Sequence, residues 1–374
     1  MQTTVSRPIL ISLALALVAR LAFVFVFFPA VQTRMHLRDD GDGYGQIAQS
    51  IRDGHYNDVT RGPVYPGFVA FCGSPLVAKG VQALLDTVTV WLVFLLAGRN
   101  WKAAALWAAY PFAIWRVAFI GKETMVAFLL AAYICGQWAA FRSGKLWHWL
   151  AAGGLLALVN LCKPTFLAWP VAVLALAYLH RVRMSRMAVL VAGMAIVIAP
   201  WTIRNCLVTH GGFVPVATER GGVTTFIGNY QPTLGQWEGP GKSKWMLAVA
   251  QINSEHPGSS AIEMDRVFYQ AAWEEMSRDP GKAVEICVRK CVRFWFESAA
   301  QRELIGSIVV QAFYLGLMGV GLWRRRPWGL ETVLPLTLIA YVMLVHALSY
   351  ADLRFSLPVM PLVCALAGSA FRDR

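Results

Sequence analysis

A cluster of carboxylates directly follows the first apolar stretch of this sequence. Asp39, Asp40 and Asp42 open the segment DDGDGYGQIAQSIRDGHYNDVTRGPVYP, which ends at Pro66. Charged side chains at the mouth of a membrane helix are costly unless water, a cation or a substrate uses them. A carboxylate in such a place can take a proton from an attacking hydroxyl. These three acids are therefore the first candidates for a catalytic site.

Cations stand at the ends of later apolar stretches, on the same predicted face of the membrane. They are Lys122, Lys163, Arg204 and Arg354, and Glu123 adds an acid beside the first of them. In a site shielded from bulk water, such cations can neutralise an anionic leaving group. For any single one, anchoring of a helix end at lipid headgroups is the alternative. Acids and cations together favour transfer from a phosphate-bearing lipid to a hydroxyl or amine.

The composition defines the elements that must position these residues. The 374 residues are 57% hydrophobic and 15% charged, with a mean hydropathy of +0.50. Each membrane crossing needs about 20 apolar residues in a helix, because hydrocarbon offers no partner to an open backbone group. The predicted spans are 8–30, 76–97, 101–119, 124–140, 146–161, 165–179, 187–203, 304–323, 329–347 and 355–371. The sequence predicts an all-α polytopic membrane protein with about ten transmembrane helices.

Lysine and arginine in short loops predict the orientation, since these residues remain on the cytoplasmic side at insertion. They cluster on the side of the N-terminus, at Arg7, Arg99, Lys102, Arg142, Lys145, Arg181, Arg183, Arg186, Arg324, Arg325, Arg326, Arg372 and Arg374. Both termini are therefore expected in the cytoplasm and the acid cluster on the outer face of an inner membrane. The net charge of +13 then reflects the excess of lysine and arginine in the cytoplasmic loops. A nucleic-acid partner would require a basic, aromatic-laced soluble module, and the sequence has none.

Three regions follow from these spans. Residues 1–204 form a transmembrane domain with a first external loop at 31–75, residues 205–303 form a small external cap, and residues 304–374 form C-terminal transmembrane helices. In the loop, helical spacing predicts a short surface helix with Asp42 at its N-cap position and Gly54 at its end.

The cap begins with a glycine-rich stretch that predicts turns or short strands. Further on, residues 265–276 and 282–296 have the spacing of amphipathic helices. In the second of these, Arg289, Lys290 and Arg293 stand opposite an apolar stripe, a pattern typical of a helix at a membrane interface.

Some charged residues have structural interpretations. Arg20 lies near the middle of the first span, where a charge needs a partner, and Asp86 in the second span is a candidate. Arg61 can fix its proline-rich loop by pairing with Asp53 or Asp58. His346 has no second ligand near it in the sequence, and no zinc site is predicted.

Several short motifs resemble one family. They are the D-x-x-x-Y-x-x-x-A of Asp40, Tyr44 and Ala48, the R-x-P-x-Y-P of Arg61 to Pro66, the PWTIRN of Pro200 to Asn205, the GN of Gly228 and Asn229, and the R-x-x-L-P-x-x-P of Arg354 to Pro361. In this order they resemble the GT-C class of polyprenyl-phosphate-sugar glycosyltransferases, which includes protein O-mannosyltransferases and bacterial aminoarabinose transferases.

The resemblance implies an inverting glycosyl transfer at the outer face of the membrane. Asp40 would be the catalytic base, with Asp42 as its rival, and Glu123 would be a second acid that orients the acceptor or binds a cation. The donor, a polyprenyl-phosphate-linked sugar, would hold its phosphate against Lys122, Lys163, Arg204 and Arg354. Residues that would position the substrates are Tyr44, Arg61, Tyr65, Asn205 and Asn229.

The remaining partners stay open. The acceptor is a lipid, a glycan or a protein, membrane lipids surround the spans, and a divalent cation (Mg²⁺ or Mn²⁺) is a candidate ligand of Asp39, Asp40 and Asp42. One alternative is a secondary transporter or lipid flippase, although the repeated halves typical of transporters are not evident. Another is an O-antigen polymerase or ligase, which predicts the key residues in the 205–303 segment.

Overall fold

The computed structural model describes residues 7–236, 244–297 and 304–371, and all regular structure in these ranges is helical. Arg372 and Arg374, which were used to predict the topology, lie outside the described residues. In chain order the helices are α1 (Arg7–Met35), α2 (Tyr44–Arg52), α3 (Val64–Cys72), α4 (Pro75–Leu96), α5 (Trp101–Ala108), α6 (Pro111–Arg116), α7 (Glu123–Ser143), α8 (Leu146–Cys162), α9 (Pro164–Leu179), α10 (Met184–Val208), α11 (Gly221–Asn229), α12 (Lys244–Glu255), α13 (Ala261–Arg278), α14 (Pro280–Phe296), α15 (Leu304–Arg324), α16 (Leu330–Leu348) and α17 (Leu353–Phe371).

Seven helices of the described chain are long and apolar enough to cross a membrane, namely α1, α4, α7, α10, α15, α16 and α17. Two further predicted spans correspond to the shorter apolar helices α8 and α9. A polytopic helical membrane protein is therefore confirmed as the class of fold. The number of crossings remains a prediction.

The predicted span 101–119 is not one helix. It consists of α5 and α6, and Tyr110 between them has an extended backbone with ψ of 112°. Pro111 explains the break, because proline lacks an N–H donor and disfavours helical geometry in the residue before it. The short α6 then delivers Arg116 close to the turn that begins α7.

The centre of the bundle is formed by α17. Of its apolar window 83% is buried inside the protein, against 22% for each of α10 and α15. Helices with little buried surface expose apolar side chains, such as Ile196 on α10 and Ile305 on α15, as a lipid-facing helix does. A buried α17 means that the residues at its start, including Arg354, lie near the middle of one end of the bundle.

Arg20 and Asp86 form the ion pair that the sequence predicts. Arg20 Nε contacts Asp86 Oδ2, and both side chains are fully buried. Arg20 Nη1 also donates to the backbone oxygen of Ala108, at 3.0 Å. The pair therefore ties α1 to α4 and to the end of α5.

The loop helix α2 has a different cap from the predicted one. Asp40, not Asp42, accepts hydrogen bonds from the first two N–H groups, those of Tyr44 at 2.8 Å and Gly45 at 2.7 Å. Gly43 occupies the N-cap position with φ of +74°, a left-handed conformation that glycine adopts without strain. This turn swings the chain so that the Asp40 carboxylate faces the helix start, and Asp42 points elsewhere. At the other end, the helix stops at Arg52 and Gly54 lies just beyond it.

The described part of the cap contains α11 to α14 and none of the short strands that its glycines suggested. The predicted helices 265–276 and 282–296 are confirmed as parts of α13 and α14. In α14, Lys290 and Arg293 are buried, whereas Val284 and Val288 are more than half exposed. Lys290 is bound by neutral oxygens of the protein, and Arg293 is bound by the backbone oxygens of Leu234 and Gly235 and by the Glu297 carboxylate at 3.5 Å.

Lys290 joins the cap to the transmembrane bundle. Its Nζ donates to Asn229 Oδ1 at 2.8 Å and to the backbone oxygen of Ser349 at 3.0 Å. A Cβ at Gly228 would lie 2.0 Å from that same oxygen, so only glycine allows α11 to approach the end of α16 this closely. The cap is thereby held beside the segment that leads to Arg354.

Candidate functional site

Charged side chains from separated segments converge at one end of the bundle. We call them the charged cluster: Asp42, Arg61, Arg116, Lys122, Glu123, Lys163, Glu219 and Arg354. Some of these side chains form ion pairs, and the others interact electrostatically over longer distances. They lie at helix ends and in the connecting segments, on the side that the topology prediction assigns to the external face.

Glu219 is the acid at the centre of the cluster. Its Oε2 contacts Lys122 Nζ and lies 3.3 Å from Arg61 Nη1, while Oε1 accepts from the Gly62 N–H at 3.4 Å. Burial by itself would raise the pKa of Glu219, but the charges of Lys122 and Arg61 outweigh it, so the pKa lies below its ordinary value. Glu219 is therefore ionised at neutral pH. The predicted pairing of Arg61 with Asp53 or Asp58 is wrong.

Glu123 is buried at the start of α7 and forms an ion pair with Arg116. Its Oε2 lies 2.7 Å from Arg116 Nη2 and 3.2 Å from Arg116 Nε. The Arg354 guanidinium also acts on this carboxylate from a longer range. Arg354 Nη1 is 3.9 Å from Asp42 Oδ2, and 42% of its side chain is accessible. The cluster thus opens to solvent on the side of Asp42 and Arg354.

The three loop acids have three different environments. Asp39 Oδ2 pairs with Lys79 Nζ at 2.5 Å, Asp40 bonds the backbone amides of α2, and Asp42 faces Arg354. Among the described residues there is no group of three or more His, Cys, Asp or Glu arranged to hold a metal ion. The loop acids consequently do not fit a shared divalent cation.

Tyr44 places an unused hydroxyl beside the cluster. Its side chain is 1% exposed, and its Oη has no hydrogen-bond partner among the described residues. The guanidinium of Arg61 lies 5.7 Å from the ring centroid. Burial, followed by the negative charge of Glu219, raises the pKa of Tyr44 well above its ordinary value, so the hydroxyl keeps its proton. A buried hydroxyl without a partner is a donor available to a ligand.

Lys163 lies in the turn between α8 and α9, with 8% of the residue exposed. Its position depends on Gly62, because a Cβ there would be 2.2 Å from the backbone oxygen of Leu161. The close approach packs the first external loop against the end of α8. Lys163 and Arg61 are thus held at the same end of the bundle.

Four predicted site residues have their polar groups bound within the protein. Arg204 donates to the backbone oxygens of Tyr56 and Asp58 and stacks over Trp201. The others are Tyr65, which donates to Gln82 Oε1 at 2.6 Å, Asn205, which donates to the backbone of Val214 and Val216, and Asn229, which accepts from Lys290. These contacts fix the loop, the start of the cap and the cap junction around the cluster.

Sequence reasoning missed Arg116, Lys79, Glu219 and His346. For Arg116 and Lys79 a signal existed, because each lies inside a predicted span, where a charge requires a partner. Glu219 follows a stretch without periodicity, and no local pattern marked it. His346 was considered only as a metal ligand, and its role depends on a contact that the sequence does not reveal.

No protein-family model matches the chain, and no curated protein matches it. The interpretation of this site therefore rests on its own geometry and on the motif resemblance given above.

Proposed function

We propose that the chain is a membrane glycosyltransferase that moves a monosaccharide from a polyprenyl-phosphate donor to an acceptor hydroxyl. One observation carries the proposal. Among the described residues of the charged cluster and the three loop acids, Asp40 and Lys163 are the two charged side chains with no oppositely charged side chain within 4.0 Å. A carboxylate and a buried basic group that are not neutralised by an ion pair are the two groups that such a transfer requires.

Asp40 serves as the base. A carboxylate offers about four lone-pair sites, and the N–H groups of Tyr44 and Gly45 use two of them. These bonds orient the carboxylate, and the remaining sites can accept the proton of the acceptor hydroxyl. The acceptor oxygen then bonds the anomeric carbon as the bond from that carbon to the phosphate oxygen breaks. Attack from the opposite side inverts the configuration.

The cations stabilise the departing lipid phosphate. The electron pair of the broken bond remains on the phosphate oxygen, so charge develops there in the transition state. Lys163 has no competing carboxylate in contact, and the accessible Arg354 is held only at 3.9 Å by Asp42. The Tyr44 hydroxyl is a further donor for a ligand oxygen. We propose the external face of an inner membrane as the location, and a lipid, glycan or protein as the acceptor.

Three substitutions in inserted, full-length protein test the base. Asp40→Asn keeps a side-chain oxygen for the helix cap but cannot take a proton, and we expect transfer from a radiolabelled polyprenyl-phosphate sugar to be lost. Asp40→Ala loses the cap as well and should also lower thermal stability. Asp42→Asn should retain transfer. Full transfer by Asp40→Asn would exclude Asp40 as the base, and loss only in Asp42→Asn would transfer the role to Asp42.

Glu219 favours a second candidate function. The polymerase or ligase alternative expects a key residue in the 205–303 segment, and Glu219 of that segment contacts both Arg61 and Lys122. Such an enzyme would use a lipid-diphosphate glycan as its donor. Supplying both donor classes to the same membranes distinguishes the two functions, since only the proposed transferase consumes the monophosphate-linked monosaccharide.

A further inference from the structure

Lys163 and His346 bring two basic nitrogens together inside the protein. Lys163 Nζ lies 3.2 Å from His346 Nε2, and both residues are buried, at 8% and 6% exposed. His346 Nδ1 lies 2.9 Å from the backbone oxygen of Tyr350. Because a carbonyl oxygen only accepts, Nδ1 carries the hydrogen of the neutral ring. Nε2 is then an acceptor, and its lone pair faces the Lys163 amine.

Aromatic rings fix both groups in place. The imidazole of His346 stacks on Phe355 with ring centroids 4.4 Å apart and an interplanar angle of 7°. Lys163 Nζ lies 4.5 Å from the centroid of the same Phe355 ring. On its other side the imidazole is stacked with Phe294, at 5.8 Å. Phe355 therefore contacts both basic groups and packs beside the two nitrogens.

The surroundings oppose a second positive charge at this pair. None of the ion pairs within 4.0 Å in the described chain includes Lys163. Lys122 and Arg354 repel its charge from longer range, whereas Glu123 and Glu219 attract it, and the Cys162 thiol is also near. Burial, followed by Lys122, lowers the pKa of Lys163 to about 7. Two adjacent buried bases in these surroundings hold one proton in preference to two.

We propose that Lys163 and His346 form one proton-sharing site for a phosphate group, and that phosphate binding adds a proton to the pair. A bound phosphate oxygen supplies the negative charge that the pair lacks, which makes the cationic form favourable. The proton comes from solvent, and no covalent bond changes. That this phosphate belongs to a lipid rests on the proposed function.

Calorimetry on the full-length protein in detergent tests the proton count without an activity assay. The probe is a farnesyl phosphodiester, whose single charge does not titrate near neutral pH. Titrations in two buffers of different ionisation enthalpy, at a pH just above neutrality, give the protons taken up. We expect a net uptake of part of a proton, and an affinity that falls by up to about tenfold per pH unit above the pKa of Lys163.

Variants assign the proton to the pair. His346→Gln leaves an amide that is not protonated near neutral pH, so only the lysine can bind the added proton. The proton uptake on binding of the phosphodiester, and the pH dependence of its affinity, should therefore differ from those of the natural protein. Lys163→Gln should lose most of the affinity. Lys145→Gln removes an exposed lysine at a turn between α7 and α8 and is the matched control, with affinity and uptake unchanged.

The possible results distinguish a failure of this inference from a failure of the proposed function. Binding of the phosphodiester without proton uptake by the natural protein overturns the inference and leaves the proposed function intact. Uptake that persists unchanged in both variants also overturns it. Failure to bind any farnesyl phosphodiester contradicts the proposed function itself. Equal binding of inorganic phosphate would show that the site takes a free phosphate, and preference for the farnesyl probe would show that it takes a lipid headgroup.

Discussion

Glu219 Oε2 lies 3.3 Å from Arg61 Nη1, although 158 positions of sequence separate the two residues. The contact joins the segment that follows α10 to the first external loop, and backbone bonds from Thr218 to Val59 and from Glu219 to Thr60 run beside it. Lys122 at the start of α7 contacts the same carboxylate. One acid therefore contacts side chains from two other segments at this end of the bundle.

The pH dependence of the free energy of unfolding should reveal the ionisation of Glu219. The pKa of Glu219 is lowered in the folded protein, so its stabilising contribution is present above the ordinary glutamate pKa of about 4.3. That contribution is lost as the pH falls through the lower, folded-state pKa. At neutral pH, Glu219→Gln should lower the free energy of unfolding by about 1–3 kcal/mol. In acid the difference from the natural protein should shrink.

Thermal unfolding in detergent between neutral and acidic pH measures this difference. Glu285→Gln is the matched control, because Glu285 forms an ion pair with Arg289 that is half exposed on both sides. Exposed pairs contribute little, about 0–1 kcal/mol. A pH-independent gap between Glu219→Gln and the natural protein would contradict the assignment of the acid transition to Glu219.

The close contact at Gly62 predicts a specific effect on catalysis. In Gly62→Ala the new Cβ would meet the backbone oxygen of Leu161 at 2.2 Å, so the loop that carries Arg61 must move. A shift of about 1 Å can cost about a hundredfold in rate, and we expect a large loss of sugar transfer with normal insertion. Gly67→Ala is the control, because nothing lies within 4 Å of its new Cβ. Equal activity of the two variants would argue against a loop position set by Gly62.

The buried pair of Arg20 and Asp86 predicts strong coupling between two substitutions. Removing one partner leaves an uncompensated buried charge, so Arg20→Met or Asp86→Leu should each destabilise the protein by about 3–5 kcal/mol. The double variant carries no charge at these two positions and should recover much of that loss. A double-mutant cycle measured by unfolding in mixed micelles gives the coupling. Additive losses would show that the two charges do not depend on each other.

Hydropathy and charge alone predicted much of the bundle. Long apolar stretches form helices in a membrane because no other structure satisfies the backbone there, and their limits agree with the helices within a few residues for most spans. The same reasoning identified Asp86 as the partner of Arg20, since a charge within the hydrocarbon region has few partners available. The amphipathic spacing of α13 and α14 likewise predicted both cap helices.

Only the tertiary structure decided how these helices meet. The side of α14 that carries Lys290 is buried because Asn229 and Ser349 supply oxygens from distant segments, and periodicity contains no information about such partners. The capping role of Asp40 depends on the left-handed turn at Gly43, which removes Asp42 from the position that its spacing predicted.

The sequence by itself determined the kind of molecule and identified the first loop as a source of candidate residues, because both follow from local composition. It did not determine the partners of those residues. Glu219 and His346 reach Arg61 and Lys163 across long stretches of chain, and such contacts are formed only when packing closes the bundle. Which charged residues at the site lack an oppositely charged partner, namely Asp40 and Lys163, is therefore a property of the folded protein.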